Sequence, residues 1–126
     1  MSTVTRLHTN QRRSSVVVFN NFVFLGGQTC DDKCLDIRGQ TRETLKKIDR
    51  FLADAGTDKT RLLTAQIWIR DIARDFEGMN EVWDAWVAPG CGPTRATAQC
   101  TMAKPGTLVE IVVTAAANVP LAAHGI

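Results

Sequence analysis

Two short runs of β-forming apolar residues, 16–19 and 22–25, flank the dipeptide Asn20-Asn21 near the start of the chain. Because asparagine tolerates a positive backbone φ, this pattern predicts a tight β-hairpin. Neither arm alternates polar with apolar residues, so we expect both faces of the hairpin to be covered. A chain of 126 residues has few elements for this purpose, and the covering is expected to include a second subunit. A further strand over residues 5–9 is expected to open the sheet.

Two helices are predicted from apolar positions that recur every three or four residues. The first helix ends where Gly56 can stop it, and the second begins near Asp75 and ends before residues 89–90. Their apolar stripes comprise Leu45, Ile48, Leu52 and Ala55 in the first helix and Phe76, Met79, Trp83 and Trp86 in the second.

Three more strands are predicted from the rest of the pattern. Residues 63–70 alternate between apolar and polar side chains, and residues 95–102 alternate in the same way. Residues 108–117 form a nearly all-apolar strand, and the turn-forming residues 103–106 predict that the last two strands pair as a hairpin. The apolar face of the first of these strands is formed by Leu63, Ala65, Ile67 and Ile69.

The predicted element order is β-β-β-α-β-α-β-β, an α+β fold in which two helices pack against one mixed sheet. Residues 1–126 form a single domain, because the length suits one core and no internal repeat is present. A hydrophobic fraction of 44% with 22% charged residues is typical of globular proteins. The net charge of +2 comes from charges dispersed along the chain and does not indicate a nucleic-acid surface.

Targeting signals are not apparent in the sequence. No segment reaches the roughly 18–20 uninterrupted apolar residues of a membrane span, and the polar N-terminal stretch does not match a secretion signal. A cytoplasmic location is therefore expected, with no membrane partner. In that compartment the cysteines are expected to be free thiols, namely Cys30, Cys34, Cys91 and Cys100.

No metal site is indicated by the spacing of possible ligands. His8 and His124 have no companions at ligand spacing, and the lone pair Cys30 and Cys34 cannot complete a four-ligand zinc site. Residues 26–27 are followed by neither the Lys nor the Ser/Thr of a phosphate-binding loop.

Glu110 is the first residue that could carry chemistry, because it interrupts the most apolar segment of the chain. An ionised carboxylate buried without a partner is costly, so Glu110 must reach a partner, take up a proton or face a wet cavity. The alternative is a glutamate on the solvated face of an antiparallel sheet. The pattern by itself leaves both interpretations open.

Arg95 is the second such residue, at the start of a strand that follows the turn-rich residues 91–94. Its guanidinium offers a flat fork that matches a carboxylate, although a surface arginine at a strand end fits the pattern as well. In the predicted hairpin, Glu110 faces Cys100 and Arg95 faces Ala115, which separates the two charges by roughly 17 Å. An ion pair within one chain is therefore not expected, and a substrate or a neighbouring subunit would have to bring them together.

The order of elements and five short motifs resemble the reactive-intermediate deaminase family (Rid, also called YjgF or L-PSP). The resemblance covers about residues 12–117 and leaves residues 118–126 as a C-terminal tail. The motifs are FLGGQ at 24–28, QT at 40–41 with the helix up to 55–56, DF and MN at 75–76 and 79–80, PTR at 93–95, and LVEI at 108–111.

The resemblance implies a chorismate-mutase-like α+β fold and a homotrimer with clefts between its subunits. It also implies hydrolysis of enamine and imine intermediates, such as 2-iminopropanoate or 2-iminobutanoate, to the 2-keto acid and ammonia. No cofactor or metal takes part in the family's reaction. The implied ligand is a small carboxylate-bearing metabolite.

Residue roles follow from the same resemblance. The arginine that matches Arg95 clamps the substrate carboxylate in family members, and the glutamate that matches Glu110 positions or activates the attacking water. Asn80 and the backbone of Gly27 line the same cleft.

Three positions depart from the family pattern. Arg13 stands where the family often has tyrosine, Gly26 where many members have serine, and Thr97 where a cysteine is common. Arg13 and Thr97 are accordingly expected to contact the substrate. An extra cation at Arg13 would suggest a second negative group on that substrate.

Three functions remain in view. The first is an imine/enamine deaminase in which Arg95 and Glu110 act on a 2-imino acid. The second is an endoribonuclease, an activity attributed to some relatives, although the modest charge and the lack of a histidine pair argue against it. The third is a non-catalytic trimer in which Arg95 holds a small carboxylate ligand that is not hydrolysed.

Overall fold

Six strands and two helices make up residues 3–118, the part of the chain that the computed structural model describes. A single 3₁₀ turn at Lys59–Arg61 leads into the fourth strand. The predicted order of elements is confirmed, and the fold is α+β. The strands are β1 (Thr5–Thr9), β2 (Ser14–Phe19), β3 (Phe22–Leu25), β4 (Leu62–Ile69), β5 (Thr94–Gln99) and β6 (Val109–Ala116), and the helices are α1 (Ile37–Asp54) and α2 (Ile72–Trp86).

The predicted hairpin is β2 and β3, which pair with Phe19 opposite Phe22. Asn20 adopts a φ of 54°, the left-handed conformation that asparagine tolerates better than most residues. The predicted tight turn at Asn20-Asn21 is therefore confirmed, and this turn sets the register of β2 and β3.

The strands form one mixed sheet in the order β1-β2-β3-β6-β4-β5. The predicted hairpin between β5 and β6 is wrong: β5 pairs in parallel with β4, and β6 lies between β3 and β4. The nearly all-apolar β6 loses most contact with water in the middle of the sheet, whereas the alternating β5 suits an edge. Residues 100–108 are long enough to pass the end of β4, so the turn at 103–106 does not force the two strands together.

Both helices cover the same face of the sheet and enclose the core with it. Asp36 caps α1 by accepting a hydrogen bond from the Gly39 N–H (2.9 Å). Asp71 caps α2 in the same way through the Arg74 N–H (3.1 Å), so this helix begins about one turn before the predicted start near Asp75. Gly56 follows α1 with a φ of +78°, as expected of a glycine that ends a helix.

Two predicted core positions are wrong. Leu63 is 38% exposed, because an irregularity between Leu62 and Thr64 turns Leu62 toward the core instead. Phe76 is also 38% exposed on α2, whereas Met79 and Trp83 of the same stripe are buried.

The opposite face of the sheet has no helix against it within residues 3–118, and we call it the open face. Its apolar side chains lie on neighbouring strands and include three exposed phenylalanines. The helices thus cover one face of the hairpin, and coverage of the other by a second subunit stays a prediction. The apolar residues of the open face include Val17, Phe19, Phe22, Phe24, Trp68 and Val112.

Candidate functional site

Glu110 lies on β6 opposite Trp68, at a position whose side chain points to the open face. Just beyond β3, the backbone groups of Gln28 and Ile111 exchange hydrogen bonds of 2.9 and 3.0 Å, which brings Gly27 against Glu110. A Cβ on Gly27 would lie 2.1 Å from Oε2 of Glu110. The missing side chain of Gly27 therefore provides the space that the carboxylate occupies.

The Glu110 side chain is half-buried, and no hydrogen bond from residues 3–118 reaches its carboxylate. The carboxylate keeps its acceptor sites available, which a group that holds a water or takes a proton requires. The sequence left open whether the Glu110 side chain is buried or solvated. In the structure it is neither fully buried nor fully solvated.

Arg13 lies at the same corner of the open face. Its Nη1 donates a hydrogen bond to Oγ of Ser15 (2.9 Å) and would be 3.9 Å from a Cβ on Gly26. Arg13 and Glu110 therefore flank one dipeptide, Gly26-Gly27. We call Arg13, Gly27 and Glu110 the Glu110 cluster.

Arg95 is the second residue of the edge strand β5 and pairs with Ala65, so its side chain lies on the helix-covered face. Its Cζ is 5.6 Å from the centroid of a ring of Trp83 on α2. Arg95 is exposed and forms no ion pair with a carboxylate of residues 3–118. A depression of about 300 Å³ beside Arg95 is lined also by Thr64, Ala65, Gln66, Thr94 and Ala96.

Thr97 and Asn80 lie on the same side of the sheet as Arg95. Thr97 pairs with Ile67 on β5, and Asn80 precedes Trp83 by about one turn of α2. Thr97 Oγ1 and Asn80 Oδ1 are buried, and within residues 3–118 neither has a hydrogen-bond partner. Buried oxygens without a donor are costly, which marks both as candidate acceptors for a ligand. We call Asn80, Trp83, Arg95 and Thr97 the Arg95 cluster.

The two clusters lie on opposite faces of the sheet, with β4 between their strands. Glu110 faces Trp68 rather than Cys100, and Arg95 faces Ala65 rather than Ala115, so the predicted register was wrong. Three residues along the strand and two strands across still separate their Cα atoms by about 14 Å. Arg95 and Glu110 of one chain therefore do not form an ion pair, as predicted. The strand pairing that separates them, with β4 between β5 and β6, differs from the predicted hairpin.

Trp83 is the member of the Arg95 cluster that sequence reasoning assigned only to the helix core. The available signal was its position three residues after Asn80, which places both side chains on one side of α2. What the sequence does not show is that β5 runs beside this part of α2.

The remaining candidates of the sequence that lie within residues 3–118 form no further site. His8 bonds to Asp54 at 2.7 Å, and His124 lies outside the described residues. Within residues 3–118 no group of three His, Cys, Asp or Glu side chains is placed to hold a metal ion. The four cysteines are unpaired, and no described helix is long and apolar enough to cross a membrane.

Comparison with known proteins gives one consistent result. The model of the family described as endoribonuclease L-PSP matches residues 3–117. A RutC family protein of Haemophilus ducreyi is 40% identical over 115 residues, which is 91% of this chain and 97% of that protein. Reactive Intermediate Deaminase A of Arabidopsis thaliana is 28% identical over 104 residues, covering 78% of this chain and 54% of its own length.

Solved structures agree with the sequence comparison. A member of the YjgF protein family from Neisseria meningitidis superposes with a TM-score of 0.90 at 38% identity, covering 94% of this chain and 98% of that one. The predicted fold class is thereby confirmed. The chain belongs to the endoribonuclease L-PSP family, which is also known as the YjgF or Rid family.

Proposed function

We propose that this protein hydrolyses small 2-imino acids, the reactive imine and enamine intermediates, to 2-keto acids and ammonia. The observation that carries the proposal is the division of unused functional groups between two clusters on opposite faces of one sheet. Arg95, Asn80 and Thr97 offer a cation and two unpaired oxygens, and Glu110 offers an accessible carboxylate beside Gly27. The name of the Arabidopsis relative supports the same reaction class.

The cleft forms where the Arg95 cluster of one subunit meets the Glu110 cluster of another. The exposed phenylalanines of the open face would be removed from water by such a contact, which favours association. In a closed homotrimer all subunits make the same contacts, because each contributes its Arg95 cluster to one cleft and its Glu110 cluster to another. The assembly thus completes a site that a single chain leaves divided.

Arg95 binds the substrate carboxylate through two parallel N–H···O bonds, because the described chain offers its guanidinium no competing carboxylate. This contact fixes the direction of the imine carbon relative to Glu110. Holding a small substrate in one orientation supplies a large part of the rate enhancement in such reactions.

Glu110 acts on the water. The water oxygen attacks the imine carbon while Glu110 takes one of its protons and passes it to the imine nitrogen, which gives a neutral carbinolamine. The carbinolamine then collapses: Glu110 takes the proton of its hydroxyl, the C=O bond forms and the C–N bond breaks to release ammonia. The proton held by Glu110 is returned to the departing nitrogen, so that the carboxylate is ready for the next turnover.

The other site residues orient the substrate. Asn80 Oδ1 accepts a hydrogen bond from the imine N–H, and Thr97 Oγ1 accepts one from the second N–H that forms when the nitrogen is protonated, which relieves the cost of two buried oxygens without donors. Gly27 leaves the space that the Glu110 carboxylate occupies, and Arg13 lies on the same side of the cleft.

The activity is tested with imines generated by an amino-acid oxidase and trapped by semicarbazide. We expect the wild type to lower the amount of trapped imine, and Arg95→Ala to abolish this effect while the assembly survives sedimentation. Glu110→Gln should stop turnover but retain binding of a 2-keto acid in calorimetry. A Glu110→Gln variant with full activity would reject hydrolysis by this site, and a wild type that binds but never hydrolyses would identify a binding protein.

The shared cleft is tested by mixing the two inactive variants. Trimers refolded from equal amounts of Arg95→Ala and Glu110→Gln should regain about a quarter of the wild-type activity, because that share of the clefts receives both native residues. The control is each variant refolded alone, which should stay inactive. No recovery in verified mixed trimers would show that Arg95 and Glu110 do not meet across a subunit boundary.

A further inference from the structure

Arg95 lies over the ring of Trp83 and is not held by an ion pair. Its guanidinium carbon lies 5.6 Å from the Trp83 ring centroid, and no carboxylate of residues 3–118 forms an ion pair with it. An arginine fixed by an ion pair loses donors and charge to its protein partner. A cation–π contact with an indole takes up no carboxylate, so the N–H donors of the guanidinium remain unoccupied.

Trp83 is itself fixed by the packing around it. The side chain is only 5% exposed, and its ring centroid lies 5.3 Å from that of Trp86. Trp86 in turn donates from Nε1 to Asp49 (3.0 Å) and carries the Lys59 ammonium over its ring at 5.1 Å. A row of Lys59, Trp86, Trp83 and Arg95 thus leads from the 3₁₀ turn before β4 to the edge strand.

The two buried oxygens without donors belong to residues close to Trp83 and Arg95 along the same elements. Asn80 precedes Trp83 by three residues on α2, and Thr97 follows Arg95 by two on β5, on the same side of the sheet. A carboxylate bound by Arg95 keeps one orientation toward this side only if the guanidinium plane stays fixed.

We propose that Trp83 is a positioning residue, whose indole face fixes the plane of the Arg95 guanidinium and leaves its N–H edge free for the substrate carboxylate. This inference rests on the proposed function for the identity of the substrate. It adds a residue that acts through Arg95 without touching the reacting atoms. It also states why an exposed arginine at a strand end can bind in a defined geometry.

The test compares Trp83→Phe and Trp83→Met with Trp86→Phe as the matched control. Phenylalanine keeps an aromatic face, so we expect kcat/KM for the imino acid within a few-fold of wild type. Methionine keeps apolar volume without that face, so we expect kcat/KM and the affinity for 2-oxobutanoate each to fall about tenfold or more. Trp86→Phe keeps an aromatic ring against Trp83 and changes a side chain that has no recorded contact with Arg95, so both quantities should stay close to wild type.

A spectroscopic signature separates positioning from general stability. In the wild type, the Arg95 Nε–H resonance, assigned by its loss in Arg95→Lys, should be displaced by the ring current of Trp83. The displacement should persist in Trp86→Phe and disappear in Trp83→Met. An undisplaced wild-type resonance would overturn the proposal even if Trp83→Met does not fold, and so would a folded Trp83→Met with wild-type affinity for 2-oxobutanoate.

Failure of the proposed function would look different. A wild type that hydrolyses no imine removes the reaction, but the 2-oxobutanoate affinities and the Arg95 resonance still decide whether Trp83 positions the guanidinium.

Discussion

Glu110 occupies the space that a side chain on Gly27 would need. A Cβ built on Gly27 would be 2.1 Å from Oε2 and 3.0 Å from Cδ of Glu110. Real Cβ atoms do not approach other atoms this closely, so a larger residue at position 27 and the present position of the carboxylate exclude each other. The presence of glycine at position 27 is therefore explained by the space that the Glu110 carboxylate needs, and less by the folding of the chain.

Gly27→Ala is expected to displace the Glu110 carboxylate and reduce imine hydrolysis by about 10- to 100-fold, the usual cost of a misplaced catalytic group. The fold should persist, because the clash involves the far end of a flexible side chain. Gly26→Ala is the matched control, since its Cβ would meet its nearest atom, the Ser14 carbonyl oxygen, at an ordinary 3.5 Å. Activity assays with thermal melts check both variants, and equal activities would contradict the role of Gly27.

Gln40→Leu is expected to lower the free energy of unfolding by about 2–3 kcal/mol, because it leaves buried backbone groups without partners. The Gln40 amide is fully buried, donates to the Gly106 carbonyl (2.9 Å) and accepts from the Leu108 N–H (3.0 Å), tying α1 to the start of β6. Urea denaturation measures the change. Gln11→Leu, at an exposed glutamine, should have little effect, and an equal loss there would refute the explanation.

Phe24→Asp is expected to prevent assembly and abolish activity while the single chain stays folded. Phe24 is 44% exposed on the open face, so its replacement costs the core little, but a carboxylate there would have to be buried in a subunit contact. Sedimentation and circular dichroism check the two parts of this prediction. Ala53→Asp adds the same charge to the exposed side of α1 and should leave the assembly intact. A Phe24→Asp variant that still assembles would show that the subunit contact does not involve this part of the open face.

Asp31→Asn is expected to destabilise the protein slightly at pH 7 and by less at about pH 2.5. The ammonium of Lys47, 2.6 Å away, lowers the pKa of Asp31 by hydrogen bonding and by its charge. Because the folded-state pKa lies below the unfolded one, this contribution is present at neutral pH and is lost as the pH falls through the folded-state pKa.

The size of this effect should stay below about 1 kcal/mol, since the Asp31 side chain is 90% exposed and water screens the pair. Urea denaturation at both pH values measures it, with Asp84→Asn as the control at another exposed carboxylate. A difference of the same size at both pH values would show that the carboxylate charge is not responsible.

The residues of the site could be predicted from the sequence, but their arrangement in space could not. Arg95, Glu110, Gly27, Asn80, Thr97 and Arg13 were named from the resemblance, and their roles in catalysis and binding stay predictions. The structure adds that they fall into two clusters on opposite faces, and that Trp83 supports Arg95. Neither relationship follows from motif spacing, because the first depends on which strands are neighbours and the second on which helix lies beside β5.

The sequence by itself determined the elements of this protein. The hairpin at Asn20, the end of α1 at Gly56 and the two helices follow from turn residues and from a periodicity that acts over a few neighbouring positions. Only the tertiary structure decided that β6 enters between β3 and β4 and that β5 runs parallel to β4 at the edge. The order of the strands depends on how much apolar surface each whole strand buries at each place in the sheet. The pattern of residues within a single strand does not specify this order.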